Sequence, residues 1–416
     1  MSSRMDLILL VCVFVGLTGC AVPPPLPPSA PEGPVLGDIG ESYDFTAETY
    51  DPASLPLQYR FAWGDGQTSD WGQLLPSGMP CTETHAWQSE GFYEVRAQAR
   101  NAAKRLSSWS PPHFVTIGPE LAYPDTVIAK ISVGNAPFGV CIIPNGDYVY
   151  VANRTGGISV ISTATNAVVH TISPPGGPAF VAATPDGDHV YVTMGGDRVG
   201  VIRTSDYVMV DTIDVQNHPL GVEVNPDGDH VYVANYYSGT VSVIRTSDNT
   251  VIANVPIPGN PWCVQPTPDG QYVYASGRGT SIVSVIRTSD NTVVDSIAAG
   301  SEPGDITFTP DGQYAYVSCR LDNDVAVIRT SDMTVVAHIP GCSHPTGISI
   351  LPSGSYAYVS NYHDDYVLVV RTADNVVVDT LQFGTITDFS TVHPVNQKVY
   401  IGCPNRDEIW VLDYRN

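Results

Sequence analysis

The chain has 416 residues, with 42 Asp and Glu against 19 Lys and Arg, a formal net charge of -23 and only 15% charged residues. That balance excludes the clustered cations with which nucleic-acid binders displace counterions, and it does not favour anionic lipid headgroups. With 37 Gly, 35 Pro and 43% hydrophobic residues, the composition points to many turns, few long helices and a large core.

Arg4 is the one basic residue before the apolar run Leu7–Val15. That run is short for a permanent membrane span and suits the h-region of a signal peptide. It ends in Leu17-Thr18-Gly19-Cys20, which resembles a bacterial lipobox. The resemblance implies removal of residues 1–19 and lipidation of Cys20, several acyl chains together giving stable anchoring. The expectation is an exported lipoprotein on the bacterial cell membrane or outer membrane. It would face the periplasm or the surface and touch the membrane only through its anchor. Residues 20–30 include Pro23-Pro24-Pro25-Leu26-Pro27-Pro28 and are expected to form an extended polyproline II stalk.

Residues 31–118 alternate short apolar runs with turn signals, as a β-sandwich does. Gly64-Asp65-Gly66 supplies the positive φ of a tight turn, and Trp63 and Tyr93 are candidate core anchors. Asp65 and His85 are the types that hold metals, but turn and core roles are commoner for them. The strand ending in Trp63-Gly64-Asp65-Gly66, then Thr84-His85-Ala86-Trp87 and Gly91-Phe92-Tyr93-Glu94-Val95, resembles the PKD domain, an immunoglobulin-like module.

Residues 119–416 are self-similar. Turn signals recur every 41 or 42 residues, at Pro144, Pro185, Pro226, Pro268, Pro310, Pro352 and a degenerate Pro394. Four short strands per period of that length predict a seven-bladed β-propeller. Tyr150-Val151-Ala152-Asn153, Tyr232-Val233-Ala234-Asn235 and Tyr358-Val359-Ser360-Asn361 resemble the repeat of YVTN propellers. The fold class is therefore all-β, a seven-bladed propeller behind an immunoglobulin-like sandwich. The seventh repeat runs out of chain after three strands. Residues 126–133 are expected to supply its fourth and remove the open sheet edge.

In a propeller the innermost strand A lines the axis. Positions three and five before each turn proline should face the channel there. Glu223 and Asp305 are their only charges, and Gln265 is a further polar member. Such a pair could do acid/base work if suitably spaced, although polarity beside a wet channel needs no catalytic role. His218 and His344 occupy one loop position three blades apart, too far to share a metal. No metal ligand set, cofactor motif or nucleophile elbow is present. Buried free thiols are the default for Cys81, Cys141, Cys263, Cys319, Cys342 and Cys403, with Cys319 and Cys342 the one pairing that the strand order suggests.

Arg203, Arg245, Arg287, Arg329 and Arg371 repeat around the ring and read as structural turn residues. The varied D–A and B–C loops should carry recognition. Trp262, Tyr236, Tyr237, Arg278, Arg320, His344 and Tyr362 are the binding candidates there, being mostly the aromatic and Arg types that anchor interfaces. The leading expectation is a monomeric, non-catalytic binding or adhesion module for a protein or glycan at the cell envelope. The resemblance to YVTN surface proteins implies the same. The alternative is a propeller hydrolase of the lactonase type, for which Glu223, Asp305 and Asn235 would be offered as metal ligands.

Overall fold

A computed structural model of the protein describes residues 22–34, 36–89, 91–117 and 123–414. Cys20 and the residues expected to form a signal peptide lie outside them. The chain divides into two compact units between residues 121 and 122. No described helix is long and apolar enough to cross a membrane.

The first unit is a two-sheet sandwich. One sheet orders Leu36–Gly37, His113–Ile117, Gly91–Asn101 and Leu57–Ala62, with Leu106–Trp109 also pairing with Gly91–Asn101. The second pairs Tyr43–Ala47 with Cys81–His85. Strict alternation decides the inner faces: Leu57, Tyr59 and Phe61 are buried while Gln58, Arg60 and Ala62 face outward. Phe45 meets Trp63 and Trp87 edge-on at 5.8 and 5.7 Å, and His85 stacks on Trp63 at 4.7 Å. His85 Nε2 also lies 2.9 Å from Asp65 Oδ2. These two side chains tie a turn to the core.

The Pro-rich tract departs from the expected stalk. Pro25, Pro28 and Pro31 are buried at the three-residue period of polyproline II. Leu26 N donates to Tyr50 O at 3.0 Å, Ser29 N to Glu48 O at 2.9 Å, and Asn101 Nδ2 to Pro23 O at 3.0 Å. A helix with no internal hydrogen bonds has its backbone free for such contacts, so the tract straps the sandwich from residue 22 onward.

The second unit is the propeller, with seven four-stranded antiparallel sheets. In each Thr-Pro-Asp-Gly turn between strands A and B, Gly takes φ near 70–75°, as at Gly187 (75°), Gly270 (69°) and Gly312 (70°). The Asp carboxylate accepts the N–H two residues on. At the C–D turn each Arg pairs with the Asp three residues later, as in Arg245–Asp248 at 2.5 Å. Strand-B tyrosines are almost wholly buried. Some reach the next blade: Tyr191 Oη donates to Asn249 Oδ1 at 2.9 Å.

The ring closes as the strand count requires. Thr126–Ser132 pairs with Glu408–Asp413 and completes blade seven. Tyr358 Oη donates to Pro124 O at 2.8 Å and Tyr123 Oη to Asp379 Oδ2 at 3.0 Å, holding the closing strand to blade six. The Cys319–Cys342 bridge is not formed; both thiols are free and buried in adjoining inter-blade cores.

Candidate functional site

Seven innermost strands surround the axis: Asn135–Ile142, Pro178–Ala183, Pro219–Val224, Asn260–Pro266, Pro303–Phe308, Pro345–Ile350 and Ser390–Val392. Their close approach depends on Gly139, Gly221 and Gly347. A Cβ on these would meet the Cα of Phe180, Cys263 and Phe389 on the following blade at 2.5–2.7 Å. Small residues on one blade thus make room for larger ones on the next.

Three phenylalanines close the channel. Phe138, Phe180 and Phe389 stack edge-on around the axis, with ring centroids 4.7–5.1 Å apart. Trp262 abuts Phe138 at 6.1 Å and Phe180 at 6.4 Å, and Tyr236 abuts Trp262 at 6.0 Å. This aromatic plug separates a chamber among the A–B turns from a mouth among the D–A and B–C loops.

The chamber has a volume of about 420 Å³ and takes lining residues from all seven blades. Glu223, Gln265, Asp305, Thr307, Ser349 and Thr391 supply its polar wall. Asp305 Oδ2 accepts from Ile348 N at 2.8 Å, which ties blade five to blade six. Burial, and then Asp305, push the Glu223 carboxyl up to about 8. Burial pushes Asp305 to about 7 against the pull of its backbone donors.

The mouth has the opposite character. The residue following the last position of the Tyr-Val-x-Asn tetrad is Arg154 in blade one, Arg278 in blade four and Arg320 in blade five. The Arg278 guanidinium lies 3.2 Å from the Trp262 ring centroid, and Arg154 lies 3.9 Å from that of Phe138. Burial, and then the neighbouring Arg320, lower Arg278 to about 10. Arg320 also reaches Glu302 at 3.8 Å.

Asp388, the residue just before Phe389 of the plug, is only 2% exposed. The Thr346 side chain stands beside its carboxyl, while Arg278 Nε and Arg320 Nε make no hydrogen bond among the described residues. Burial raises Asp388 to about 7, against the pull of Arg154, of the Thr346 side chain, and of Arg278 and Arg320. A carboxyl raised toward neutrality within the field of three guanidiniums has the character of a group that transfers protons beside an anion.

Residues 163–394 match the family described as lactonase, seven-bladed β-propeller. The chain belongs to this family. Among curated proteins no match to the chain is found. Many solved structures share the propeller fold, and two of them serve as examples. One is hydrazine synthase of Kuenenia stuttgartiensis, at 22% identity and TM-score 0.63, covering 67% of this chain and 96% of that one. The other is the β-propeller domain of Cps50 (Swd1) of Myceliophthora thermophila, at 12% identity and TM-score 0.64, covering 70% and 100%. At these identities the likeness speaks for the fold.

On this lactonase-family scaffold the residues singled out from the sequence fall into two groups. Trp262, Tyr236, Arg278 and Arg320 belong to the mouth. Tyr237, 66% exposed, packs on His218 at 4.7 Å, and Tyr362, 40% exposed, lies beside His363; both stand on the rim. His344 packs against His363 at 3.9 Å with the rings tilted, and its pKa is lowered by burial, by His363 and by Arg320. Glu223, Gln265 and Asp305 lie below the plug, apart from all of these. Asn235 does not join them as a metal ligand: it is fully buried and donates to Ser242 Oγ at 2.8 Å within its own blade. Among the described residues no three His, Cys, Asp or Glu side chains gather as a metal site.

Sequence reasoning missed Arg154, Thr346 and Asp388. Arg154 had a signal, since it shares the repeat position of Arg278 and Arg320. Thr346 and Asp388 share the position of Phe138 and Trp262, just after the loop proline or its Thr387 replacement. Reading the varied loop positions column by column would have brought all three forward.

Proposed function

We propose that the protein is a hydrolase of the lactone class working at the D–A/B–C mouth of the propeller, on a cyclic ester that carries an anionic group. The observation that carries this reading is the buried Asp388 carboxyl, with Thr346 beside it and Arg154, Arg278 and Arg320 acting on it. Family membership adds weight to it. Ionised Asp388 takes a proton from a water as that water's oxygen bonds to the ester carbon. The carbonyl electrons move to the oxygen, where a guanidinium stabilises the developing charge. Collapse of the tetrahedral centre breaks the ring C–O bond, and the leaving alkoxide takes the proton back from Asp388. The remaining guanidiniums hold the substrate's anionic group.

The test is hydrolysis of a carboxylated γ-lactone by the purified ectodomain, with Arg278→Ala and Asp388→Asn as controls. Turnover by the wild type that both substitutions cut supports the assignment. No turnover of any carboxylated or phosphorylated lactone overturns it. A second reading rests on the exposed rim aromatics Tyr237 and Tyr362: docking of a protein or glycan of the cell envelope on the same face, with Trp262 and Tyr236 beneath. The lipobox at Cys20 supports placing either activity on a lipid-anchored, exported protein. The PKD-like motifs support a spacer role for the sandwich, and the YVTN-like repeats support an envelope setting.

A further inference from the structure

The chamber below the plug has no part in the reaction proposed for the mouth, and its chemistry differs. Its volume of about 420 Å³ lies within the range of small-molecule pockets, roughly 300–1,000 Å³. It is formed by strands fixed in the ring. Glu223 and Asp305 line it from blades three and five, on either side of Gln265, and no Lys, Arg or His lines it anywhere. Glu223 and Asp305 are half-buried residues whose carboxyls are raised chiefly by burial. Asp305 spends one oxygen on the Ile348 amide. Thr307, Ser349, Ser390 and Thr391 add hydroxyls, with Ser349 and Ser390 held 2.8 Å apart. Phe180 and Phe389 line the plugged end with aromatic rings. Two acids with no cation of the protein's own, hydroxyl acceptors and an aromatic floor together make a complement for one ligand class.

We infer that this chamber is a second binding site, for a small organic ammonium ion. The carboxylates neutralise the cation, and the hydroxyls and Gln265 accept its N–H or O–H donors. The phenyl rings of the plug attract its positive face. A divalent metal is a poorer fit, because it needs several oxygen ligands within about 2.6 Å of one point, and these two carboxylates come from blades two apart. The inference stands whether or not the mouth hydrolyses anything.

The experiment is calorimetric titration of the whole ectodomain with choline chloride and with ethylammonium chloride at pH 8. Sodium and calcium chlorides serve as controls. Binding of at least one ammonium is expected, weakened about tenfold or more in Glu223→Gln/Asp305→Asn, a one-decade loss being 1.4 kcal/mol. It should be unchanged in Arg278→Ala. Asn at 305 keeps an acceptor for the Ile348 amide. Should the double variant fail to fold, the wild type alone decides: binding must weaken as pH falls from 8 to 5, where the raised carboxyls take up protons. Absence of heat with both ammonium salts overturns the inference. Binding that ignores both the substitutions and pH overturns it too, as does calcium binding that displaces the ammonium.

Discussion

The two ends of one channel are built from the same seven strands and carry opposite chemistry. At the mouth, the end of strand B brings in Arg154, Arg278 and Arg320, and the buried Asp388 precedes Phe389 of the plug. In the chamber, strand A brings in Glu223 and Asp305 with a ring of hydroxyls. Between the ends, three phenylalanines from blades one, two and seven meet on the axis. The lesson is about division of labour in a repeat. Positions that recur, such as the strand-B tyrosines and the Arg–Asp turns, hold the ring together. Positions that face the axis vary from blade to blade, and their sum gives each end its charge. Equal backbone geometry therefore places no limit on how unlike the two ends become.

The comparison can be broken most severely at the seam on which both ends depend. Removing residues 123–133 takes away the fourth strand of blade seven and the Tyr358–Pro124 hydrogen bond. Loss of cooperative melting for the whole propeller is expected. A deletion variant that melts like the wild type would show that the ring closes without this strand.

Next in size is the plug. Phe389→Ala should cost about 3 kcal/mol of stability, in line with large-to-small changes in cores, and should join the two ends. Denaturant unfolding reads the first effect. The second shows as ammonium binding that begins to respond to lactone at the mouth. In the wild type the two ligands should bind independently, with a coupling free energy near zero.

Substitution at one end alone sharpens the contrast. Asp388→Asn should reduce lactone turnover by about 100-fold or more, the usual scale of a lost general base, while leaving ammonium binding untouched. Trp262→Ala should weaken any partner docked on the mouth by about 1–2 kcal/mol. Arg245→Ala, at a surface C–D turn on the other face, should change both functions little and stability by less than about 1 kcal/mol.

The fold was legible because its determinants repeat. The Pro-Asp-Gly turns and strand-B tyrosines recur seven times with small lapses, and a missing strand could be assigned by counting. The contents of the channel were legible in part. Alternation along strand A placed Glu223, Gln265 and Asp305 inward, as periodicity alone can do. It could not show that phenylalanines from three blades would meet and split the channel, since that depends on where side chains far apart in sequence converge. Asp388 was hidden for a related reason. It stands in a blade with a degenerate turn and with Thr387 replacing the loop proline, and its raised pKa comes from burial that no local pattern records. The Pro-rich tract shows the converse: its conformation follows from composition, but its docking on the sandwich depends on the partners Tyr50, Glu48 and Asn101.

Acidity offers a measurement common to both ends. Glu223, Asp305 and Asp388 all have carboxyls raised above their unfolded values. Between about pH 4 and pH 8 the folded protein holds protons that the unfolded chain has released, so their contribution to stability is lost as pH rises through that window. Melting temperature should fall from pH 4.5 to pH 8, less steeply in Glu223→Gln/Asp305→Asn.

The most direct test of two chemically separate ends is the pH–rate profile of carboxylated γ-lactone hydrolysis. It would be measured for the wild type, for Asp388→Asn and for Glu223→Gln/Asp305→Asn. The rate should rise through an apparent pKa of about 7 in the wild type, collapse in Asp388→Asn, and keep the wild-type profile in the chamber variant. A rate that survives loss of Asp388 and disappears with Glu223 and Asp305 would contradict the account.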